Sequence, residues 1–128
     1  MDPADQPLSS LEPDPEYDAE DRGDVLATLS AEGLTFKIWG GDWCGDCRAR
    51  LPVLGAALSA AGVPPERVEV YPVEKDGRGN KIGRYTDEYA VDLIPTVVVE
   101  RDGTELARFV ETAEAPIDVA LARQLSGE

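Results

Sequence analysis

The chain contains two cysteines, Cys44 and Cys47, in the stretch GGDWCGDC, where the first of them directly follows Trp43. On one rigid element, a thiol pair at this spacing supplies one thiol that attacks a disulfide and a second that resolves the mixed disulfide. A closed zinc site needs four ligands, and a chain with two cysteines and no histidine could supply them only by sharing thiolates across a dimer. Two cysteines that act only as small buried apolar residues are the other alternative. The pattern favours a redox-active dithiol without a metal.

The segments around the cysteines place them where a strand gives way to a helix. LTFKIWG (34–40) is apolar and β-rich, which predicts a strand that runs into the cysteines. RARLPVLGAALSAAG (48–62) has leucines at helical spacing, contains Pro52, which should kink the helix, and stops at a glycine. Free N–H groups and the positive end of the dipole stabilise a thiolate at a helix start. Cys44 is therefore predicted to lie at the helix start, with Cys47 one turn further in.

The residues next to the cysteines have both functional and ordinary interpretations. Gly45 is expected to let the backbone turn tightly between the two thiols, and Trp43 to form a flat apolar wall beside Cys44. Asp42 and Asp46 either tune the site or belong to a generally acidic surface. Arg48, four residues after Cys44, either offsets their charge or is simply solvated.

Five further segments have the periodicity of a helix or a strand. They are a helix over 24–33, a strand over 67–74, an amphipathic helix over 80–91, a pair of strands over 96–111 joined at Asp102-Gly103, and a helix over 115–125. Strands and helices thus alternate and end in a hairpin followed by a helix. This order predicts an α/β fold in which a central mixed β-sheet is flanked by helices on both faces.

The composition excludes several classes of partner. The chain has 26 acidic and 12 basic residues, a net charge of −14, which argues against nucleic acid. No apolar run approaches the ~20 residues that a membrane-spanning helix needs, and we expect no membrane association. The acid-rich, lysine-poor composition resembles that of proteins from a high-salt cytoplasm, where salt screens carboxylate repulsion; an ordinary acidic protein is the alternative.

The N-terminal 22 residues contain four prolines, many acids and few aliphatic side chains. Such a segment buries too little apolar surface to offset the entropy lost on ordering. We therefore predict a disordered acidic tail over residues 1–22 and one domain over residues 23–128. The chain starts with neither the basic nor the apolar region of a secretory signal, so we expect a cytoplasmic location.

Three motifs in order resemble the thioredoxin family. WCGDC resembles that family's WCGPC signature after the central strand, and Pro52 matches the proline that kinks the active-site helix. LIPTVVV (93–99) is similar to the cis-proline segment, and RDGTEL to the hairpin that follows it. The resemblance covers about residues 24–126.

The resemblance implies a thioredoxin fold with Cys44 as the nucleophile and Cys47 as the buried resolving thiol. It also implies that the Ile94–Pro95 peptide bond is cis and faces the cysteines. Trp43, Gly45 and Asp46 on one side, with Ile94, Pro95 and Thr96 on the other, would then bind the substrate chain. By the same likeness, the electron donor is a flavin-containing thioredoxin reductase and the substrates are protein disulfides.

The sequence departs from the family pattern at four positions. Asp46 replaces the proline before the second cysteine, as in relatives with WCPDC. The buried aspartate six residues before the nucleophile falls on Ile38, and its usual lysine partner falls near Pro72. A glycine expected beside the cis-proline loop falls around Glu111. With the buried acid absent, we hypothesise that Asp46 accepts the proton of the resolving thiol Cys47.

The sequence therefore predicts a monomeric protein-disulfide reductase that carries no bound cofactor. The alternative is a thioredoxin-fold binding or adaptor module, whose cysteines sense redox state without efficient turnover. The absent buried acid favours the module, whereas the intact cysteine pair and Pro95 favour the enzyme.

Overall fold

A computed structural model describes residues 9–75, 78, 81–83, 85–111 and 115–126. The helices are α1 (Gly23–Leu29), α2 (Gly45–Ala60) and α3 (Ile117–Leu125). The strands are β1 (Leu34–Gly40), β2 (Val68–Pro72), β3 (Glu74–Lys75), β4 (Lys81–Ile82), β5 (Thr96–Arg101) and β6 (Thr104–Val110). Short 3-10 helices form at Ser9–Leu11, Ala19–Arg22 and Pro65–Arg67. Within these described ranges, no helix has the length and apolar character needed to cross a membrane.

The main sheet has four strands in the order β2-β1-β5-β6, with β1 parallel to β2 and the other two pairs antiparallel. Asp102 and Gly103 turn the chain between β5 and β6 with φ values of 52° and 81°, so the predicted hairpin is confirmed. Because β1 and β5 run antiparallel with Trp39 opposite Thr96, the end of β1 and the start of β5 lie at one edge of the sheet. The cysteines follow β1 at this edge, and Pro95 precedes β5.

The three helices contact one another, which places them on one side of the sheet. Phe36 and Ile38 on β1 are fully buried in the core, together with Leu51 and Leu54 of α2. Large apolar side chains on alternate strand positions thus pack against helix leucines, which is the main source of stability in such a sheet. The predicted mixed sheet flanked by helices is confirmed, but the prediction of helices on both faces is wrong, because the three helices share one face.

The opposite face of the sheet is covered by residues 85–91 rather than by the helix predicted over 80–91. In the described part of this segment, residues 81–82 form β4 and residues 85–90 form turns; residues 80 and 84 lie outside it. Tyr85 and Ala90 have φ values of 62° and 54°, which a right-handed helix cannot contain. The amphipathic pattern arises because Tyr85 packs on Tyr71 and Tyr89 on Trp39, at centroid distances of 5.3 and 5.1 Å.

The predicted disorder over residues 1–22 is wrong for residues 9–22, which are ordered against the domain. Asp14 donates its N–H to the carbonyl of Pro52 at 3.1 Å. Tyr17 donates its hydroxyl to Asp118 at 2.7 Å, and Arg22 pairs with the same carboxylate at 3.2 Å. Leu11 and Tyr17 also pack against the core, so apolar contacts and long-range polar contacts together hold this segment in place. Residues 1–8 lie outside the described residues, and their disorder stays a prediction.

Candidate functional site

Cys44 occupies the position predicted from the sequence, between the end of β1 and the start of α2. It is the N-cap residue of α2, with extended backbone angles, and its carbonyl accepts the N–H of Arg48 at 3.1 Å. Its own N–H donates to the carbonyl of Gly41 at 3.0 Å, which closes the turn between strand and helix. The Cys44 side chain is partly exposed, and both cysteines are free thiols. The Cys44 thiol, at a helix N-terminus, is thus accessible from solvent.

Cys47 lies one turn into α2 and is fully buried. Burial raises its pKa from 9.0 to about 12; the N–H of Gly41, 3.5 Å from Sγ, acts in the opposite direction. A hydrogen bond with Cys44 and the charges of Cys44 and Asp46 contribute to the same rise. One cysteine is therefore exposed for attack, while the other is protected and held as a thiol.

The proline loop lies against Cys44. The Ile94–Pro95 peptide bond is cis, as the resemblance implied, and the Cys44 Sγ is 3.8 Å from the carbonyl oxygen of Ile94. Ile94 and Thr96 are buried, whereas Leu93 is 42% exposed. The loop therefore offers backbone and one apolar side chain beside the partly exposed sulfur.

Arg50 and Glu111 join α2 to the proline loop, a connection that sequence reasoning missed. The N–H of Glu111 donates to the carbonyl of Pro95 at 2.7 Å, and its own carbonyl accepts Nε of Arg50 at 3.0 Å. Glu111 has a φ of 56°, so it takes the left-handed conformation that glycine tolerates best. The family carries a glycine near this position, and that glycine could have indicated the left-handed backbone at Glu111. Nothing in the sequence indicated the hydrogen bond between Arg50 and the carbonyl of Glu111.

Trp43 is held beside the cysteines by a hydrogen bond from its Nε1 to the carbonyl of Val73, at 2.8 Å, and remains 43% exposed. A Cβ on Gly41 would lie 2.5 Å from this Nε1, so the indole requires glycine at that position. The role expected of Gly45 is wrong, because Gly45 begins α2 and a Cβ there would meet open space. The glycine that the turn needs is Gly41.

The charged residues around the turn make specific contacts. Asp42 accepts both the N–H and the hydroxyl of Ser10 at Oδ1, at 2.9 and 2.8 Å. Nη1 of Arg48 lies 3.4 Å from the backbone carbonyl of Asp42, so Arg48 contacts the backbone of the turn; that it offsets the charge of Asp42 and Asp46 stays a hypothesis. Asp46 is exposed in the first turn of α2.

Ile38 and Pro72 occupy the positions where the family carries its buried aspartate and lysine. Ile38 is fully buried in the apolar core, and Pro72 ends β2 opposite Gly40. Neither side chain has a group that can accept or donate a proton at the site. In the part of the chain that the structure describes, no three acidic, cysteine or histidine side chains converge as metal ligands.

Strand β1 of a mixed sheet leads into a helix that begins at a Cys-x-x-Cys pair, and a cis-proline loop faces this pair. These features together define the class of thioredoxin-like dithiol proteins. The comparisons with known proteins agree with this class. A thioredoxin family model matches residues 14–124. The thioredoxin of Chlamydia trachomatis serovar D is 35% identical over 85 residues, which cover 66% of this chain and 76% of that protein. The thioredoxin of Chlamydia muridarum is 32% identical over 87 residues, covering 68% and 78%. The chain belongs to the thioredoxin family.

Two solved structures are also similar. A mutant thioredoxin from Halobacterium salinarum is 22% identical, with 78% of each chain covered and a TM-score of 0.46. A Pseudomonas aeruginosa protein of unknown function is 26% identical, with 82% of this chain and 64% of that chain covered and a TM-score of 0.49.

Proposed function

We propose that the protein is a thiol–disulfide oxidoreductase that reduces protein disulfides through Cys44 and Cys47. The observation that carries the proposal is the asymmetry of the pair. Cys44 is partly exposed at a helix N-terminus, whereas Cys47 is fully buried one turn further on. An exposed attacking thiol and a protected resolving thiol are what a two-step disulfide exchange requires.

The reaction transfers two electrons from the dithiol to the substrate. The thiolate of Cys44 attacks one sulfur of the substrate disulfide, forms a mixed disulfide and releases the first substrate thiolate. Cys47 then loses its proton and attacks the Sγ of Cys44, which releases the second substrate thiolate. Both substrate sulfurs are reduced and end as thiols once protonated, and the protein is left with a Cys44–Cys47 disulfide.

The substrate chain is proposed to bind between the helix start and the proline loop. Exposed Trp43 and Leu93 supply apolar contact area, and Gly45 and Asp46 are exposed beside them. The cis-proline loop supports backbone pairing with an extended substrate segment, with Ile94, Pro95 and Thr96 as its residues. Because Thr96 is 1% exposed, its proposed contribution is through the backbone.

The remaining assignments extend the same proposal. The oxidised pair is re-reduced by a flavin-containing thioredoxin reductase or a similar donor, and the protein acts as a monomer in the cytoplasm. The net charge of −14 supports a high-salt cytoplasm, where carboxylate repulsion is screened. An NADPH-coupled reductase assay and light scattering after gel filtration test the donor and the monomer.

Insulin reduction by dithiothreitol, followed as turbidity, tests the activity. We expect the protein to accelerate the reaction and Cys44→Ser to abolish the acceleration. Cys47→Ser is the matched control, because the same exchange of sulfur for oxygen three residues away should leave the first attack intact. That variant should accumulate a mixed disulfide with insulin. Equal alkylation rates of Cys44 and Cys47 in the native reduced protein would contradict the assignment.

A redox-sensing or adaptor module is the second candidate function. It is favoured by Ile38, which fills the position of the family's buried acid and leaves no carboxylate there for the proton of Cys47. A module would form and hold the Cys44–Cys47 disulfide but would not accelerate insulin reduction. The same turbidity assay therefore separates the two candidates.

A further inference from the structure

The ordered N-terminal segment reaches the turn that carries the reactive cysteine. Ser10 is 6% exposed, and its N–H and hydroxyl both donate to Oδ1 of Asp42. Asp42 stands two residues before Cys44, so their Cα atoms are at most about 7 Å apart. The carbonyl of Asp42 lies 3.4 Å from Nη1 of Arg48. Both the side chain and the backbone of Asp42 are thus held in place.

Two further contacts fix Ser10 at this position by seating its segment on α2. Asp14 donates its N–H to the carbonyl of Pro52 at 3.1 Å. The carbonyl of Leu11 approaches α2 so closely that a Cβ on Gly55 would lie 1.9 Å from its oxygen. The segment therefore has one defined position along α2. The thioredoxin family model matches from residue 14 onward, so Ser10 lies before the part of the chain that it matches.

The contact determines where a full negative charge sits beside the attacking thiol. Two hydrogen-bond donors on one carboxylate oxygen disperse its charge and fix its direction. Without the hydroxyl donor, more negative charge would remain on Oδ1 two residues from Cys44, and it would oppose the formation of a thiolate there. We propose that Ser10 is a positioning residue of the redox centre, which holds the Asp42 carboxylate so that the Cys44 thiolate is favoured. This inference rests on the proposed function only in taking Cys44 as the attacking thiol.

The test is the pH profile of Cys44 alkylation by iodoacetamide, an uncharged reagent. Ser10→Ala removes the hydroxyl donor, and we expect the profile to move to higher pH, with the rate at pH 7 lowered about threefold. Asp42→Asn keeps an acceptor oxygen and removes the charge, so it should raise the rate at pH 7. Adding Ser10→Ala to Asp42→Asn should then change nothing, because no negative charge remains for the hydroxyl to disperse. Tyr17→Phe is the control within the same segment; it loses the bond to Asp118 and should keep the wild-type profile.

Two results would overturn the proposal. One is a Ser10→Ala profile identical to that of the wild type; the other is an equal slowing by Ser10→Ala in the Asp42→Asn background, which would show that Ser10 acts through packing. If Ser10→Ala fails to fold, the same comparison is made with Ser10→Gly, which also lacks the hydroxyl. Alkylation needs no protein substrate. A protein that alkylates as expected but leaves insulin unreduced would therefore contradict the proposed function alone.

Discussion

Resolution of the mixed disulfide by Cys47 is expected to be slow at neutral pH and to depend steeply on pH. The attacking species is the thiolate, and burial raises the pKa of this thiol to about 12. At pH 7 a thiol with that pKa is ionised in about one molecule in 10⁵. The hydrogen bond and the charge that come from Cys44 disappear once Cys44 is bonded to substrate. The pKa in the mixed disulfide is therefore lower than in the free dithiol but remains raised, with desolvation as the largest remaining cause.

The expected dependence of the resolution rate on pH does not require the value of this raised pKa. As long as the pH stays well below the pKa, each pH unit multiplies the thiolate fraction by about ten. Between pH 6 and pH 8 the resolution rate should therefore rise about 100-fold.

A single-turnover stopped-flow experiment measures this step directly. Reduced protein is mixed with an aromatic disulfide whose released thiolate absorbs light, so that attack by Cys44 and resolution by Cys47 each release one equivalent. Cys47→Ser serves as the control, because it should show the first phase and lack the second. A second phase in the wild type that changes by less than about twofold between pH 6 and pH 8 would refute the reasoning, since another group would then be accepting the proton.

Asp46→Asn separates the two roles that Asp46 can play in this step. The charge of Asp46 contributes to the raised pKa of Cys47, so its removal should speed the second phase. A slower second phase would instead identify Asp46 as the base that the sequence suggested in place of the buried acid.

Three further predictions concern stability. Gly55→Ala would stabilise an ordinary helix interior by about 0.5–1 kcal/mol, but here the new Cβ would lie 1.9 Å from Leu11 O; we expect a lower urea midpoint, and a higher one would contradict the close packing of the segment on α2. Glu111→Gly removes a side chain from a φ of 56° and keeps the backbone bonds; relief of the strain minus the cost of the greater unfolded-state entropy of glycine should leave a stabilisation of about 0.5–1 kcal/mol, and an unchanged or lower melting temperature would count against strain there. Molar KCl should raise the melting temperature of this chain of net charge −14, and equal melting in dilute buffer would contradict the high-salt interpretation.

The redox pair could be predicted from the sequence because its geometry is local. Strand, turn and helix follow one another over 34–60, and the periodicity of each is visible in the order of residues. The hairpin was equally visible, because Asp102-Gly103 dictates its own turn. The facing proline loop came from the resemblance, since no local pattern places residue 95 beside residue 44.

The N-terminal segment was missed because its contacts are made by a few single residues, polar ones and the apolar Leu11 and Tyr17, with partners that are distant along the chain. Ser10 meets Asp42 across 32 positions, and Tyr17 meets Asp118 across 101. Composition records how much apolar surface a segment can bury, but it does not show which partner a single hydroxyl will find. The helix predicted over 80–91 failed for a related reason: two tyrosines four residues apart can face a sheet from a series of turns as well as from a helix.

The contact between the Cys44 sulfur and the Ile94 carbonyl joins positions 50 residues apart. During synthesis the two thiols therefore emerge well before the loop that faces them, and a chain that ends before β5 carries the cysteines without their partner surface. The antiparallel pairing of β1 with β5 brings the cysteines and the proline loop together. The complete site therefore forms only after these two strands have paired. A nascent chain stalled before residue 94 would expose its thiols without the proline loop that lies beside Cys44 in the complete fold.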